Sequence, residues 1–446
     1  MRIPILGEEE PGRGRWALYI ASSAFILRVI TLTIIDPSIT SDSLIYHKLA
    51  RSILETGSFA LDGNLTAYRP AGYPFFLACV YSLPGSDVIA LRIIQALIDA
   101  LSCLIVFRMG RSIFNLREGL LAAALLSVFI PYVLYSQALL SETLFTFLLL
   151  SCLQAISAES DRKTRLVTAG FTLGLCTYIK PIMALFPAAI LVSDLSTGRP
   201  LKNSLKRLFV LALVMGLTAS PWFIRNRAVF GEWVFTTNGG INFWIGNNPL
   251  ATGAYKVPGR SDIFEAGDEI TRNRLALREA TDFLTAHPLQ ALKIVPWKFF
   301  FLFSSESVII LNFFEEPGSQ PVAGRRFAER YLSVPAPALI LVNLPYYLLL
   351  LLSLPSLILE KRKDRRRSLP TVTLIFWVGI HLAFFGSNRF HMPMMSLLSI
   401  FAARTLSSLR LLIDGTSAFR VAALILSFAL FVFLWIGEWI GLLLKI

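Results

Sequence analysis

Charged residues are scarce in this chain. Asp, Glu, Lys and Arg make up 16% of its 446 residues, whereas 55% of the residues are hydrophobic. A soluble globular domain carries about 25% charged residues. The scarcity of charge therefore excludes an ordinary soluble domain and indicates an integral membrane protein.

Cysteine and histidine are also rare, with four residues of each. Because the cysteines lie in apolar stretches without CxxC spacing, they predict neither a disulfide nor a metal site. Two of the histidines, His47 and His391, are far apart in the sequence, and we expect no cofactor and no divalent metal. No basic segment with interleaved aromatic residues is long enough to form a nucleic-acid-binding domain, so nucleic acid is excluded as a partner.

Long apolar runs are what the sequence has in abundance. Many of them approach the length of about 20 residues that a helix needs to cross a bilayer. They predict an all-α polytopic membrane protein with about 11 transmembrane helices (range about 10–13) in a single domain, 1–446. The predicted spans are 16–35, 88–107, 119–137, 139–157, 165–179, 181–195, 206–224, 335–359, 369–386, 391–410 and 421–443.

Basic residues between the spans predict the orientation of the chain. With a cytoplasmic N-terminus, every basic cluster that flanks a span falls on the cytoplasmic side, as the positive-inside rule requires. These clusters are Arg13 and Arg15, then Arg108, Arg111 and Arg117, then Arg162, Lys163 and Arg165, then Lys202, Lys206 and Arg207, and finally KRKDRRR at 361–367.

The same register leaves two long regions on the outer face, 36–87 and 225–334. Loops of this length are uncommon unless they are functional. The first contains SDSLIYHKLARSILETG (41–57), whose apolar residues recur at helical spacing and predict an amphipathic interfacial helix. In the second, the apolar stretch 293–310 is interpreted as an interfacial or re-entrant segment, because a further span would place KRKDRRR outside. The remaining region, 335–446, is predicted to hold the C-terminal transmembrane helices.

Six ionisable residues are predicted to meet at the outer rim of the membrane. An ionised residue at this depth costs a few kcal/mol, so it is normally absent or functional. Two carboxylates and four cations at one depth suit a phosphate-bearing substrate attacked by a hydroxyl group, with a carboxylate taking the proton and the cations holding the phosphate. The residues are Asp42, Glu142, Arg69, Lys180, Arg225 and Arg389.

Several motifs around these residues resemble one family of membrane enzymes. In order they are D-x-x-x-Y at 42–46, YRPAGYPFFLA at 68–78, SETLF at 141–145, YIKP at 178–181 and SPWFIRNRAVFGEW at 220–233, followed by TTNGGINFWIGNNP at 236–249. Their order resembles bacterial glycosyltransferases of the GT-C fold, more narrowly the family 39-related group of protein O-mannosyltransferases and aminoarabinose transferases. The resemblance covers about residues 16–260, with a weaker echo at 386–396.

The resemblance implies an inverting transfer of a sugar from polyprenyl phosphate to an acceptor lipid, glycan or protein. It places the enzyme in the bacterial inner membrane, with its active site on the periplasmic face. It implies catalytic roles for Asp42 and Glu142 and donor-phosphate binding by Arg69, Lys180, Arg225 and Arg389. It further implies substrate contacts by Tyr46, Tyr73, Asn238 and Asn247. Mannose, aminoarabinose and galacturonic acid all remain open as the sugar.

Structural roles are the alternatives for several of these residues. Asp42 is also a suitable N-cap for the predicted 43–55 helix. The structural alternative for Glu142 is a buried ion pair with Arg28, Arg92 or another cation of the bundle. The residues Arg92, Gln95 and Asp99 share one helix face and predict an internal polar seam.

Two rival functions remain open from the sequence. A flippase or transporter of a lipid-linked sugar would also need intramembrane charges and a phosphate site. Transporters often contain two matching halves, and we find no repeat between 16–224 and 335–443. A ligase or polymerase of surface polysaccharide would instead use a diphosphate-linked donor.

Overall fold

Helices dominate the computed structural model of the protein, which describes residues 14–157, 163–258, 262–313, 334–359 and 365–408, together with 425, 428–430, 432 and 433. Most of the predicted span 421–443 and most of the basic segment 361–367 therefore lie outside the described residues. The helices are α1 (Arg15–Leu32), α2 (Ser41–Thr56), α3 (Gly72–Tyr81), α4 (Val88–Ile113), α5 (Leu116–Ser127), α6 (Ile130–Gln137), α7 (Glu142–Ser157), α8 (Lys163–Ile179), α9 (Phe186–Ser196), α10 (Leu201–Phe230), α11 (Gly239–Gly246), α12 (Asp262–Glu265), α13 (Glu269–Ala286), α14 (Pro288–Leu302), α15 (Ser307–Phe313), α16 (Ala336–Leu359), α17 (Arg365–Ala383) and α18 (Met392–Ser407).

Several of these helices have the length and composition of membrane spans. Among the described residues, four helices qualify by those two criteria alone, namely α1, α4, α10 and α16. The pair α5 and α6 qualifies together, bent by 54°. The predicted class of a helical membrane protein is confirmed. The span predicted over 119–137 corresponds to this bent pair, since the helix is interrupted between Ser127 and Ile130. The number of about 11 spans stays a prediction.

The centre of the bundle is α18, which is buried along nearly its whole length. It packs against α16 and α5, and more lightly against α7 and α4. Small residues bring other pairs of helices close. A Cβ atom at Gly170 of α8 would lie 2.7 Å from Val214 Cβ of α10, and one at Gly174 would lie 2.5 Å from Thr218 Cβ. This spacing of small residues permits close helix approach within a membrane, and it fixes the end of α8 that leads to Lys180.

The predicted polar seam on α4 is present, and each of its three residues has a polar partner. Asp99 forms a buried ion pair with Arg28 of α1. Arg92 Nη1 lies 2.6 Å from Asp36 Oδ1, and the Gln95 amide donates to the carbonyl of Ala138 at 2.8 Å. Because Arg28 and Arg92 have their own acids, Glu142 is left for other partners.

The connection between α2 and α3 contains a two-stranded antiparallel hairpin, β1 (Ala60–Leu61) and β2 (Asn64–Leu65). Its turn residues Asp62 and Gly63 both have positive φ, 49° and 83°, as a tight hairpin turn requires. The amphipathic helix predicted for 41–57 is present as α2, before this connection, and its position on the outer leaflet stays a prediction. Tyr46 and Leu49 of α2 are buried against the protein, whereas Leu44 and Leu54 are exposed.

Two other connections use short 3₁₀ turns, Pro181–Leu185 and Asn388–His391. The first joins α8 to α9, so the two predicted short spans around Lys180 are separate helices. Lys180 itself has extended backbone between them. The second joins α17 to α18 and carries Arg389. Each of these cations therefore lies at an interruption between helices and not within a continuous span.

Candidate active site

Asp42 lies in the first turn of α2 but is not the cap of that helix. The cap residue is Thr40, whose backbone N–H donates to the Ser43 hydroxyl at 3.1 Å. The alternative role of Asp42 as the N-cap is therefore wrong. Its carboxylate is free to turn toward the bundle, and 20% of the side chain stays exposed.

Two arginines from distant parts of the sequence hold the Asp42 carboxylate. Arg69, just before α3, places Nη2 2.6 Å from Oδ1. Arg389, in the 3₁₀ turn before α18, donates from Nη1 to Oδ2 at 2.8 Å. Both carboxylate oxygens are thus paired with guanidinium groups, which form strong charge-assisted contacts.

Glu142 opens α7 and lies deeper, with 2% of its side chain exposed. Lys180 Nζ lies 3.1 Å from Glu142 Oε1 and donates to it. Arg389 Nε lies 2.8 Å from the same oxygen as a close ion pair without the alignment of a hydrogen bond. The second oxygen, Oε2, has no hydrogen-bond partner within the described part of the chain.

Arg389 therefore contacts both carboxylates at once. Five residues from five separate segments, Asp42, Arg69, Glu142, Lys180 and Arg389, form one continuous charged group, which we call the rim cluster. Asp42, Arg69 and Arg389 are 20–24% exposed, whereas Glu142 is buried beneath them. A charged substrate can thus reach the outer three residues without unfolding the bundle.

The electrostatics of Asp42 reflect a balance between burial and cations. Burial alone would raise the pKa of the Asp42 carboxyl, but Arg389 and Arg69 outweigh it and lower the pKa to about 2. The carboxylate is therefore ionised at neutral pH. Because burial acts in the opposite direction, its proton affinity depends on those two arginines staying in place.

The two predicted tyrosines lie beside the rim cluster. Tyr46 is one turn after Asp42 on α2, and burial raises the pKa of its hydroxyl to about 12. Its ring packs edge-on against Tyr73, with 5.2 Å between ring centroids. The Tyr73 hydroxyl donates to Gln95 Oε1 at 2.7 Å, so that group belongs to the polar seam.

Arg225 does not join the rim cluster. Its guanidinium donates to the carbonyls of Thr66 at 2.9 Å and Phe59 at 3.2 Å and lies over the Trp222 ring, 4.9 Å from the centroid. These contacts fix the hairpin connection that leads to Arg69. The Arg225 guanidinium is therefore engaged by the hairpin connection, and Arg225 is not among the proposed phosphate ligands.

The two predicted asparagines form hydrogen bonds within the protein. Asn238 is the residue before α11, and its carbonyl accepts from Asn242 N–H at 2.9 Å. The Asn247 amide donates to the carbonyls of Phe243 and Ala383 and accepts from Lys298 Nζ at 2.9 Å. Because its amide N and O atoms are engaged inside the protein, Asn247 serves to join α11, α14 and the end of α17.

Three charged residues of the 225–334 region, two of them buried, escaped the sequence interpretation. Glu269 of α13 accepts from the Thr66 hydroxyl and the Ala67 N–H, both at 2.8 Å, and so holds the chain just before Arg69. Lys298 of α14 is 2% exposed. Glu306 contacts His391 just after Arg389. A signal was present for Glu306, since it interrupts an apolar run in the same way as Glu142 does.

The histidines of the part of the chain that the structure describes have other partners. His47 contacts the Tyr81 hydroxyl at 3.1 Å, and His391 contacts Glu306 at 2.6 Å. Within the described ranges, no group of three or more His, Cys, Asp or Glu side chains lies close enough to hold an ion.

One protein family matches part of this chain. Residues 68–224 match the sequence model of the family described as dolichyl-phosphate-mannose-protein mannosyltransferase. The matched range includes Arg69, Glu142 and Lys180. The family resemblance stated from the motifs is therefore confirmed for this part of the chain. No curated protein matches the chain.

Solved structures that are similar to this one include those of two enzymes. The archaeal oligosaccharyltransferase AglB from Archaeoglobus fulgidus, in complex with an inhibitory peptide and a dolichol-phosphate, is 16% identical with a TM-score of 0.48, covering 93% of this chain and 54% of that one. ArnT from Cupriavidus metallidurans, bound to undecaprenyl phosphate, is 13% identical with a TM-score of 0.45, covering 89% of this chain and 79% of that one. The present chain thus spans about half the length of the archaeal enzyme.

Proposed function

We propose that this protein is an inverting membrane glycosyltransferase. It moves a sugar from a polyprenyl-phosphate donor to a hydroxyl group of an acceptor lipid, glycan or protein. The observation that carries the proposal is the rim cluster, in which two carboxylates and three cations from five segments meet at a partly open surface. The family match over 68–224 supports the same chemistry.

The donor phosphate is assigned to Arg69, Arg389 and Lys180. Guanidinium groups bind phosphate oxygens in pairs, and an ammonium adds a compact charge. Arg69 and Arg389 are exposed enough to reach a ligand, and Lys180 lies behind Arg389 beside Glu142. All three also stabilise the negative charge that develops on the phosphate as it leaves.

Asp42 is assigned as the general base. The acceptor oxygen attacks the anomeric carbon and its proton passes to the Asp42 carboxylate. The bond between the anomeric carbon and the phosphate oxygen breaks, and its electron pair leaves with the polyprenyl phosphate. Attack opposite the leaving group inverts the anomeric carbon, and a leaving phosphate that is already ionised needs no separate acid.

Donor binding itself would make Asp42 a better base. In the free protein, Arg389 and Arg69 hold the pKa of Asp42 near 2, which makes its carboxylate a weak proton acceptor. A phosphate that takes up those guanidinium groups removes part of their stabilisation of the carboxylate. Burial then dominates, and the pKa of Asp42 rises when the base is needed.

The membrane orientation is part of the proposal. Arg207 lies near the start of α10, and Arg225 near its end, beside the connection to Arg69. The turn between α4 and α5 also lies away from the rim cluster, because Glu118 at the start of α5 pairs with Arg404 near the end of α18. The positive-inside rule then favours a cytoplasmic position for Arg207 and for the basic residues of that turn, with the rim cluster on the periplasmic face of a bacterial inner membrane.

We further propose that transfer needs no divalent metal, because the cations of the rim cluster already neutralise the carboxylates and are available to the phosphate. Chelation with EDTA should leave the rate unchanged. A rate that falls with EDTA and returns with a divalent ion would refute this part alone.

The decisive experiment uses purified protein, a polyprenyl-phosphate donor with labelled sugar, and a membrane extract as the source of acceptor. Label in a new product with release of polyprenyl phosphate supports the transferase. Label that only changes leaflet in a proteoliposome supports a flippase instead. Transfer from diphosphate-linked donors alone would support a ligase or polymerase.

A further inference from the structure

A second buried pair of titratable groups lies directly behind the rim cluster. His391 Nε2 lies 2.6 Å from Glu306 Oε1, and both side chains are completely buried. His391 is two residues after Arg389 in the same 3₁₀ turn. Glu306 follows α14 in the 225–334 region. The transfer mechanism proposed above uses neither residue.

The hydrogen bonds of the His391 ring identify the pair as one unit. Nδ1 contacts the carbonyl oxygen of Leu302 at 2.7 Å, and a carbonyl only accepts, so Nδ1 carries a proton. Nε2 faces a carboxylate oxygen, so one further proton lies between the two groups. The ring is sandwiched by Tyr346, with ring centroids 4.6 Å apart, and by Phe303 at 6.4 Å. Its orientation is therefore fixed on both faces and at both nitrogens.

The segment 302–307 holds the turn that carries Arg389 from both sides. Asn388, just before Arg389, donates to the carbonyl of Ser305 at 3.1 Å. His391, just after it, contacts Leu302 and Glu306. The segment is itself fixed to α16, because Asn343 accepts from the Glu306 N–H at 2.9 Å and donates to the Ser307 hydroxyl at 2.6 Å.

Arg389 needs such support because of its position. It is the one residue of the rim cluster that contacts both carboxylates, and it sits on a turn of only four residues. A guanidinium that must meet two acceptors loses both contacts when its backbone shifts by a fraction of an ångström.

We propose that Glu306 is a positioning residue that acts through His391 to hold Arg389 against Asp42 and Glu142. The phosphate that Arg389 binds rests on the proposed function, but the positioning does not. Glu306→Ala should loosen Arg389 and weaken phosphate binding. Glu306→Gln should largely preserve it, because a glutamine amide can donate to Nε2 of a neutral histidine and keep the ring in place.

The test is a double-mutant cycle between Glu306→Ala and Arg389→Ala in the full-length protein in detergent. The first readout is the apparent melting temperature, which needs no substrate. If Glu306 acts through Arg389, its removal lowers the melting temperature less in the Arg389→Ala background than in the wild type. Equal decreases in the two backgrounds would overturn the proposal.

The second readout is binding of undecaprenyl phosphate without sugar. We expect Glu306→Ala to weaken binding about tenfold, as loss of a charge-assisted contact does, and to have almost no effect once Arg389 is gone. Glu306→Gln should recover most of the affinity. A Glu306→Gln protein as defective as Glu306→Ala, or equal losses in both backgrounds, would count against the positioning role.

A matched control lies at the other end of α18. Glu118 is also buried and pairs with Arg404, at 3.0 Å, roughly 20 Å along the helix from His391. Glu118→Ala should lower the melting temperature by the same amount with or without Arg389. If wild-type protein fails to bind undecaprenyl phosphate, the proposed function is lost, while the melting cycle still decides the role of Glu306.

Discussion

The two ends of the helical bundle differ in how their acidic and basic residues pair. At the end away from the rim cluster, Asp194 pairs with Arg207 at 2.7 Å and Glu118 pairs with Arg404 at 3.0 Å. Each of these acids has its own cations, and neither is more than 3% exposed. In the rim cluster, Arg389 is shared between two acids, and Asp42 is 20% exposed.

The ion pairs at the first end hold helices together, whereas those of the rim cluster are accessible to a ligand. A buried pair with private partners fixes the register of its helices, and a ligand cannot enter it without breaking the structure. A shared cation beside an exposed carboxylate can exchange one partner for a substrate phosphate at little cost. Substitutions at the two ends should therefore affect different quantities.

The largest effect is expected from Asp42→Asn. The amide has the same shape as the carboxylate but cannot take the proton, and general-base catalysis contributes about 10²–10⁴-fold to a rate. Transfer should fall by about that factor, as measured by the initial rate with labelled donor in detergent. The protein should still elute as a single species on size exclusion. Turnover within about twofold of wild type would exclude Asp42 as the base.

Asp194→Ala should give the converse result at the opposite end. It leaves the Arg207 guanidinium buried without its acid, which costs about 3–5 kcal/mol for a fully buried pair. The apparent melting temperature should fall clearly, while the rate per folded molecule stays close to that of wild type. A specific loss of turnover without loss of stability would mean that the two ends do not differ as described.

The pH dependence of stability should report the rim cluster. The folded-state pKa of Asp42, about 2, lies below its ordinary value of 3.8, so its contribution is present above the ordinary value and is lost as pH falls toward 2. At about 1.36 kcal/mol per pKa unit, the difference between 3.8 and about 2 corresponds to about 2.5 kcal/mol. Asp42→Asn should flatten the decline in melting temperature between about pH 4 and 2. An unchanged decline would mean that groups other than Asp42 cause the loss of stability at low pH.

The smallest effect is expected at an exposed ion pair that belongs to neither of these two sets. Arg278 and Asp282 on α13 are 3.8 Å apart, with side chains 81% and 72% exposed. Exposed pairs at this spacing on a helix contribute about 0.3–0.5 kcal/mol. Arg278→Ala should change neither turnover nor melting temperature measurably. A large change in either would show that α13 has an unrecognised role.

The sequence was sufficient to predict all five residues of the rim cluster because charge is rare in an apolar chain. Each acid or base at the predicted rim stood out, and the alternation of spans and basic turns placed five of them together: Asp42, Arg69, Glu142, Lys180 and Arg389. The helix over Ser41–Thr56 was equally readable from its spacing. The roles of these residues in catalysis and binding stay predictions.

The contacts of the 225–334 region were harder to predict. Arg225 carries the same charge as Arg389, but its partners are the carbonyls of Phe59 and Thr66. Backbone carbonyls in an irregular connection leave no pattern in the sequence. The pairing of Glu306 with His391 joins residues 85 apart and depends on how α14 and α18 pack. Periodicity therefore locates such helices but not the pairs that join them.

The most direct test of the account compares binding of undecaprenyl phosphate by Arg389→Lys and Arg404→Lys, one arginine from each end. Lysine keeps the charge but cannot donate to two acids and a phosphate in the geometry of a guanidinium. We predict about tenfold weaker binding for Arg389→Lys and binding like wild type for Arg404→Lys. Equal affinities for the two variants, whether both normal or both weakened, would contradict the assignment of the phosphate to the rim cluster.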